Sequence, residues 1–448
     1  MEAADNAQPD APRLPAVLAV VLVEDVGDDV ADELTITLGS LGAQVHVPLG
    51  VVVVDVTVDG VVDADRVTAT IAEAVVRRAP GASWAEGVNA VLERPESLAY
   101  MLVCRRGVQL ADDAVAHLVT EALASNAGVV GPKLVDRDHP ELLRSVGLGS
   151  DKFAHSVSAV EAGELDQEQH DAVADVFAVD TRCVLARWDL LTALGGLDEA
   201  IPSDGDDIDL GWRALLAGAR VMVVPDAVVG VGADPMPNRR ARMRHQVRTM
   251  LAGYGTFRLI RVLLQAAILW VANMVGAIVT LRFDRARDLV AAWTSNLRNL
   301  GGIRRKRRQM HEFRQIGDGE MREYQLSGNA QLRRWLSTRL AFGEGSSAGR
   351  AARRSIGSLG DAAVRNLVLA VVAALAVYVF GSRHLLSDGI PAIGSLANFT
   401  GADRVGFEEW WSGWWRSGLG TEVGVPTQHG ALGLLGWGLF GAGGVLRT

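Results

Sequence analysis

The chain has 448 residues and a net charge of −9 at pH 7, so it is long enough for two or three domains, and its acidic balance argues against a general nucleic-acid-binding protein. Its two cysteines, Cys104 and Cys183, form neither a CxxC motif nor a Cys/His spacing typical of a metal site. The sequence therefore favours neither a structural zinc site nor a disulfide framework, and it fits a reducing compartment.

The N-terminal residues 1–15 are predicted to be a disordered leader. Residues 1–13 are polar and acidic, without the positively charged start and apolar core of a signal peptide. The domain that follows is therefore expected to stay in the cytoplasm.

Three apolar runs, 16–23, 51–54 and 98–103, predict buried strands of a parallel sheet. A helix is predicted over 28–41, between the first two strands, and such a unit implies a right-handed crossover. Asp55 follows the second strand, at the carboxyl end where open α/β sheets bind ligands. The alternative for Asp55 is an ordinary aspartate at the start of a loop.

The other elements up to residue 194 follow from periodicity and from turn residues. Residues 136–175 show little periodicity and are predicted to be a long loop, over a binding cleft or on the plain surface. Helices are predicted over 65–78, 82–92, 112–125 and 188–194, a short strand over 128–132, and a pair of strands over 176–179 and 183–186.

The stretch from Gly195 to Val231 carries four aspartates in a short loop, directly before a helix predicted over 210–217. Carboxylates are stabilised at a helix N-terminus by the helix dipole and by unpaired backbone N–H groups. Such acids can take a proton from a sugar hydroxyl, or they can simply cap the helix. A strand is predicted over 220–224, ended by Pro225 and Asp226.

Long apolar segments at 259–281, 364–380 and 430–446 favour membrane association over buried core helices. The region 282–363 between the first two is rich in arginine, which suits the cytoplasmic side and anionic lipid headgroups. We therefore expect 251–281 to be a membrane-embedded or interfacial helix and 282–363 a basic cytoplasmic segment. Residues 364–448 are expected to be a transmembrane region, with Trp410, Trp411, Trp414 and Trp415 at the far interface.

Several segments together resemble glycosyltransferase family 2, in particular its large membrane-attached members from actinobacterial cell-envelope pathways. They are SWAEGVNAVL, VGPKLVD, FAVDTRCVLARWDLLTALGGLDEAI and DDIDLGWRALLAGARVMVVPDAVV. The resemblance covers residues 16–235 and is most specific from Phe177 to Val229. WWSGWWRSGLG, before the last apolar segment, resembles the same subgroup.

The resemblance implies an α/β fold over residues 16–250: a Rossmann-like GT-A nucleotide-sugar-binding domain, followed by a helical membrane-associated region. It implies inverting transfer of a sugar from a nucleotide sugar to a lipid-linked or envelope polysaccharide acceptor at the cytoplasmic membrane. The family binds Mg²⁺ or Mn²⁺ through an Asp-x-Asp motif and commonly a later histidine. The positions that match are Asp55 on the nucleotide side, Asp206 and Asp207 as the acidic pair with Asp207 as general base, and Gly195, Gly196 and Trp212 in the acceptor-side framework.

Both metal-binding positions depart from the family pattern. Cys104, Arg105, Arg106 and Gly107 stand where Asp-x-Asp is expected, and Val231 stands where the histidine is expected. No metal ligand is therefore predicted. Because guanidinium groups bind phosphate in a bidentate manner, Arg105 and Arg106 could hold the diphosphate in a metal-independent transferase. The alternative is a domain that has lost catalysis and acts as a binding or scaffold module.

Overall fold

A computed structural model describes residues 14–24, 29–93, 98–161, 163–201, 204–232, 238–279 and 282–326. The chain divides into two units, Met1–Gln331 and Leu332–Thr448, and every described residue belongs to the first. Outside the described residues lie residues 1–13 of the predicted leader, the apolar segments at 364–380 and 430–446 and the tryptophan cluster near 410.

The described residues form twelve strands and eleven helices. The strands are β1 (Val17–Val23), β2 (Gly50–Asp55), β3 (Val75–Arg78), β4 (Tyr100–Arg105), β5 (Gln109–Leu110), β6 (Ala127–Asp136), β7 (Leu143–Ser145), β8 (Leu148–Ser150), β9 (Ser156–Ser158), β10 (Ala174–Asp175), β11 (Cys183–Arg187) and β12 (Arg220–Val231). The helices are α1 (Val30–Gly42), α2 (Ala64–Thr70), α3 (Trp84–Leu92), α4 (Ala114–Ala124), α5 (Trp188–Ala193), α6 (Asp206–Leu216), α7 (Arg239–Gly253), α8 (Thr256–Val279), α9 (Phe283–Arg298), α10 (Leu300–Phe313) and α11 (Asp318–Tyr324).

The main sheet has the strand order β10-β12-β6-β11-β4-β1-β2-β3, with β5 paired to β12 and β7 paired to β6. Strands β3, β2, β1 and β4 are parallel to one another, and β12 is parallel to β6. Strand β11 lies antiparallel between β4 and β6. The predicted α/β class is confirmed, and the sheet is mixed: four strands on one side are parallel, and β11 in the middle runs antiparallel.

Strand β1 shows why the sheet is buried on both faces. All seven of its residues are buried, and successive side chains alternate between two apolar cores. Val17, Ala19 and Val21 pack in the core that holds α1 and α4, whereas Val20 and Leu22 pack in the core that holds α3 and α6. Continuous apolar strands of this kind need helices on both faces, and the structure provides them.

Two predicted elements before residue 180 are wrong. The helix predicted over 65–78 ends at Thr70, and Val75–Arg78 forms the edge strand β3, as suits its paired valines. Residues 176–179 do not pair with β11, because β4 and β6 occupy both of its edges; Ala178 instead bridges to Leu148.

The strand after α6 is longer than predicted. It continues through Pro225 to Val231, and a change of register between Val224 and Val228 accommodates the proline. The predicted long loop over 136–175 also contains the short strands β7 to β10. Because β12 is parallel to β6 and Val231 pairs with Asp136, the two strands end at the same edge of the sheet.

Helices α7 to α11 pack against the main sheet and the helices that cover it. Ile303 and Met310 of α10 and Met321 of α11 belong to the same apolar core as β1. Lys306, inside the basic run, is buried and pairs with Asp198 and Asp209. Residues 282–326, the described part of the basic region, are therefore folded against the main sheet and its helices. The apolar segment that begins at 259 forms most of helix α8. Within the described ranges, no helix combines the length and apolar character needed to cross a bilayer.

Candidate functional site

A cleft of about 500 Å³ opens at the edge of the sheet where β1 and β4 end. Because β11 runs antiparallel to β4, its first residue, Cys183, lies opposite Cys104, and the loop before β11 reaches the same edge. The N-terminus of α6 and the end of β12 complete the lining. The carboxyl ends of parallel strands are where α/β sheets bind ligands.

The cleft is lined by charged side chains of both signs, so it suits a ligand that has anionic and hydroxyl groups. The acids are Glu24, Glu33, Asp180, Asp204, Asp206 and Asp207, and the arginines are Arg105, Arg106, Arg182 and Arg242.

Helix α6 begins at Asp206, four residues earlier than the sequence predicted, so the acidic pair forms its first turn. Asp204 and Gly205 turn the chain into the helix with φ values of +52° and +124°, a backbone region that favours glycine. The dipole at this N-terminus favours negative charge and so opposes the mutual repulsion of the two aspartates. The pair thus both begins the helix and faces the cleft.

Asp206 is held from two sides. Its Oδ2 accepts a hydrogen bond from Thr181 Oγ1 at 2.6 Å and lies 3.4 Å from Arg105 Nη2. The side chain is almost fully buried. The Asp206 side chain is therefore held in one position and orients Arg105 beside the cleft.

Asp207 differs from its neighbour, because no ion pair within 4 Å holds its carboxylate in the described part of the chain. Burial, together with the negative charges of Asp206 and Asp180, raises the pKa of Asp207 to about 7. A hydrogen bond from the Ile208 N–H, at 2.7 Å, acts in the opposite direction. Near neutral pH this carboxyl group can both release and take up a proton, which a general base requires.

Asp180 shows the contrasting environment within the same cleft. Burial opposes its ionisation, but Arg182 outweighs burial and lowers the pKa of Asp180. The two side chains form a fork, with Arg182 Nε at 3.0 Å and Nη2 at 2.7 Å from the two carboxylate oxygens. Acids whose pKa values are pushed apart in one site commonly divide into a fixed charge and a proton acceptor.

Arg105 and Arg106 both line the cleft, and both already have carboxylate partners. The Arg105 guanidinium lies 4.6 Å from the centre of the Trp84 ring and contacts Glu24 at 3.7 Å. Arg106 pairs with Glu33 of α1. An incoming phosphate group would have to compete with these carboxylates.

Two buried polar atoms beside the cleft have no hydrogen-bond partner among the described residues, Arg105 Nε and Thr249 Oγ1. Thr249 lies on α7 and lines the cleft. Unpaired buried polar atoms are costly, so both are suited to contact a bound ligand. Arg105 was a candidate from the sequence, whereas Thr249 was not anticipated, because α7 reaches the cleft only through the tertiary fold.

Asp55 does not line the cleft. It is fully buried, and its carboxylate accepts hydrogen bonds from the N–H groups of Thr57, at 3.0 Å, and Val62, at 3.2 Å. Both oxygens therefore hold the turn after β2. A contact between Asp55 and a nucleotide base would require this turn to open, so its nucleotide role stays a prediction.

The predicted acceptor-side residues do not line the cleft, although Trp212 lies on α6. Trp212 is fully buried between Phe177 and Tyr254, with ring centres 5.5 Å and 5.1 Å away. Gly195 and Gly196 turn the chain after α5 with φ values of +73° and +74°. These residues support the position of α6, and their relation to an acceptor is a prediction.

The divalent metal that the resemblance implies does not fit the described residues. Mg²⁺ and Mn²⁺ need several free oxygen ligands, but Arg105 occupies the expected motif and contacts Asp206. His245, the nearest histidine in sequence after Val231, places Nδ1 2.9 Å from the Asp204 carbonyl oxygen and so supports the acidic loop. Over the described ranges, no three His, Cys, Asp or Glu side chains are grouped to hold a metal ion.

No protein-family model and no curated protein sequence matches this chain. Solved structures similar to it include GalNAc-T7 with UDP, GalNAc and Mn²⁺, at 12% identity and a TM-score of 0.40, over 53% of this chain and 49% of that one. TarS 1-349 of S. aureus in complex with UDP gives 14% identity and a TM-score of 0.38, over 53% and 65%. The mannosyltransferase PcManGT of Pyrobaculum calidifontis, in complex with GDP-Man and Mn²⁺, gives 17% and 0.40, over 81% and 90%. Similarity at this level does not decide the activity of this chain.

Proposed function

We propose that this protein is a GT-A-type glycosyltransferase that moves a sugar from a nucleotide sugar to an acceptor hydroxyl, with inversion and without a divalent metal. The observation that carries the proposal is Asp207, whose pKa of about 7 suits a general base and which faces the same cleft as four arginines. The sequence resemblance from Phe177 to Val229 supports the reaction class, because these residues build that side of the cleft.

The donor diphosphate is assigned to the arginine side of the cleft. Arg105, Arg106 and Arg182 offer guanidinium groups that pair well with phosphate oxygens. Their present partners, Glu24, Glu33 and Asp180, keep them oriented until the diphosphate competes for them. In this arrangement arginine supplies the positive charge that a metal supplies in other enzymes.

The reaction is then a single displacement. The acceptor hydroxyl oxygen forms a bond to the anomeric carbon while the bond from that carbon to the diphosphate oxygen breaks. The hydroxyl proton passes to Asp207, and the nucleoside diphosphate leaves with the bonding electron pair, stabilised by the arginines. The Asp207 proton is released to solvent before the next cycle.

A lipid-linked or envelope polysaccharide acceptor at the cytoplasmic face of the membrane is part of the proposal. It rests on the resemblance and on the apolar segments at 364–380 and 430–446. The donor sugar is identified by its chemistry alone, as a sugar linked to a nucleoside diphosphate.

A second function, a non-catalytic binding or scaffold module, is favoured by one observation. The guanidinium groups of Arg105, Arg106 and Arg182 are each neutralised by a carboxylate of the same cleft. A cleft that satisfies its own charges has less affinity for a diphosphate. This alternative predicts that no nucleotide sugar binds.

The pH dependence of turnover tests the role of Asp207. The full-length protein is assayed by release of nucleoside diphosphate from UDP, GDP and dTDP sugars, with membrane lipid extract as the acceptor source. We expect the rate to rise with pH through about 7 and to fall by about 10²- to 10⁴-fold in Asp207→Asn. The exposed Asp226→Asn is the matched control. Equal turnover in wild type and Asp207→Asn would remove Asp207 from the mechanism.

A further inference from the structure

Helix α8 has an apolar stripe that is exposed to solvent. Phe257, Ile260, Leu264, Ile268 and Val271 recur every three or four residues and so lie on one helical face. Their exposed fractions run from 53% to 92%. Single exposed apolar residues are ordinary, but a continuous stripe of them marks a contact surface.

The opposite face of α8 is packed. Val262, Ala266 and Ala277 are buried, and the first two belong to the main apolar core. The helix is thus fixed to the domain by one apolar face and presents a second apolar face outward. Its orientation does not depend on whatever covers the stripe.

Four basic residues form a cluster around Lys152: Lys152 itself, Arg258 and Arg261 in the first turns of α8, and Arg322 of α11. Arg261 and Arg322 are exposed. Burial lowers the pKa of Lys152, and the positive charges of the three arginines lower it further, although Asp151 acts in the opposite direction. Over the described ranges, none of the three arginines forms an ion pair.

Within the basic cluster, Lys152 is held in place by hydrogen bonds. Tyr254, at the junction of α7 and α8, donates from its hydroxyl to the Lys152 carbonyl oxygen at 2.9 Å. Lys152 Nζ donates to Gln265 Oε1, on α8, at 2.7 Å. Like charges that form no ion pair among the described residues gain from an anionic ligand, and the adjacent stripe gains from an apolar one.

We propose that the α8 stripe and the basic cluster form a docking surface for an anionic lipid bilayer, with the stripe in the acyl region and the cluster at the headgroups. An amphipathic helix that has basic residues beside its apolar face binds membranes in this way, and arginine side chains can extend to the headgroups from such a helix. The lining of the cleft includes Ala154 and Ser156, shortly after Lys152 in the chain. This surface would therefore bring the cleft toward a membrane-borne acceptor, although lipid docking itself does not rest on the proposed catalysis.

Site-directed spin labelling of the full-length protein tests this surface. The two native cysteines are buried, so a cysteine introduced by Leu264→Cys or Ile268→Cys takes the label selectively. Leu123→Cys, at an exposed leucine of α4, is the matched control. The protein is reconstituted in phosphatidylcholine vesicles with or without phosphatidylglycerol, and collisions of each label with oxygen and with a water-soluble nickel chelate are compared.

We expect oxygen collisions to exceed nickel collisions at both α8 positions in vesicles with phosphatidylglycerol, and the reverse at position 123. The excess should fall in phosphatidylcholine alone and in the double variant Arg258→Gln/Arg261→Gln. Nickel access equal to that of the control would overturn the proposal, as would equal results in the two lipid mixtures. Exclusion of both reagents would also overturn it: dependence on the protein-to-lipid ratio would indicate a second copy, and independence would indicate another segment of this chain.

Discussion

Replacing Asp207 by asparagine should make the protein more stable at pH 8 while it removes the proposed base. Asparagine has nearly the same shape and can still accept the hydrogen bond from the Ile208 N–H through its carbonyl oxygen. It carries no charge, so its burial beside Asp206 and Asp180 involves no repulsion. Stability and activity should therefore change in opposite directions.

The size of this effect follows from the Asp207 pKa. Burial and the two neighbouring carboxylates raise it from 3.8 to about 7, and each pKa unit is worth about 1.36 kcal/mol, so the charged form is disfavoured by roughly 4 kcal/mol at most. The folded protein binds this proton more tightly than the unfolded chain does. The contribution of Asp207 to stability is therefore fully present below about pH 4 and is lost as the pH rises through about 7.

Unfolding of wild type and Asp207→Asn at pH 4, 6 and 8 measures this difference, with Asp226→Asn as the exposed control. The two proteins should unfold alike near pH 4, and the variant should gain up to about 4 kcal/mol at pH 8. If Asp207→Asn is no more stable than wild type at pH 8, Asp207 does not have a raised pKa. Its assignment as the base would then lose its physical basis.

Other substitutions test the arginine side of the cleft and the support of α6. Arg105→Gln should weaken binding of a nucleoside diphosphate by about tenfold to a hundredfold in calorimetry, since charge-assisted hydrogen bonds contribute about 1.5–3 kcal/mol; an unchanged Kd would exclude Arg105 from the donor site. Gly196→Ala should lower the free energy of unfolding more than Gly195→Ala. Both glycines have positive φ, but only at Gly196 would an added Cβ clash with another side chain, at Asn89 Oδ1. Equal losses in the two variants would contradict this packing. Lys306→Met should destabilise the protein by about 3–5 kcal/mol in urea unfolding, because it leaves the buried Asp209 and the mostly buried Asp198 short of a cation. The exposed Arg308→Met should change stability little, and equal effects of the two substitutions would mean that the ion pairs of Lys306 do not matter.

The sheet could be predicted where its strands are covered on both faces. Strands β1, β2 and β4 appear in the sequence as continuous apolar runs, because each of their faces packs against a helix layer. Strand β3 was missed, since it is a short edge strand whose residues are only partly buried. Its sequence differs little from that of a helix end.

The acidic pair of the cleft was also predictable, because a helix start and its first-turn acids are close in sequence. The partners of the arginines were not. Glu33 is 73 residues from Arg106, and Asp206 is 101 residues from Arg105, so only the order of the strands brings them together. Likewise, nothing in the basic run distinguishes buried Lys306 from its exposed neighbours, since its aspartate partners lie about a hundred residues away.

Asp55 is a different kind of case, because a local signal was present. Thr57, two residues later, offers the N–H that an aspartate turn uses, and this turn consumes the carboxylate that the family pattern assigns to the nucleotide. A residue can therefore match a family position in sequence while its side chain is engaged elsewhere in the fold.

Calorimetric titration of the full-length protein with UDP, GDP and dTDP sugars, with manganese and then with excess chelator, tests metal-free donor binding most directly. One donor should bind with the same Kd in both conditions, because arginines replace the metal at the diphosphate. Binding that appears only with manganese, or the absence of binding for every nucleotide sugar, would contradict a metal-free transferase.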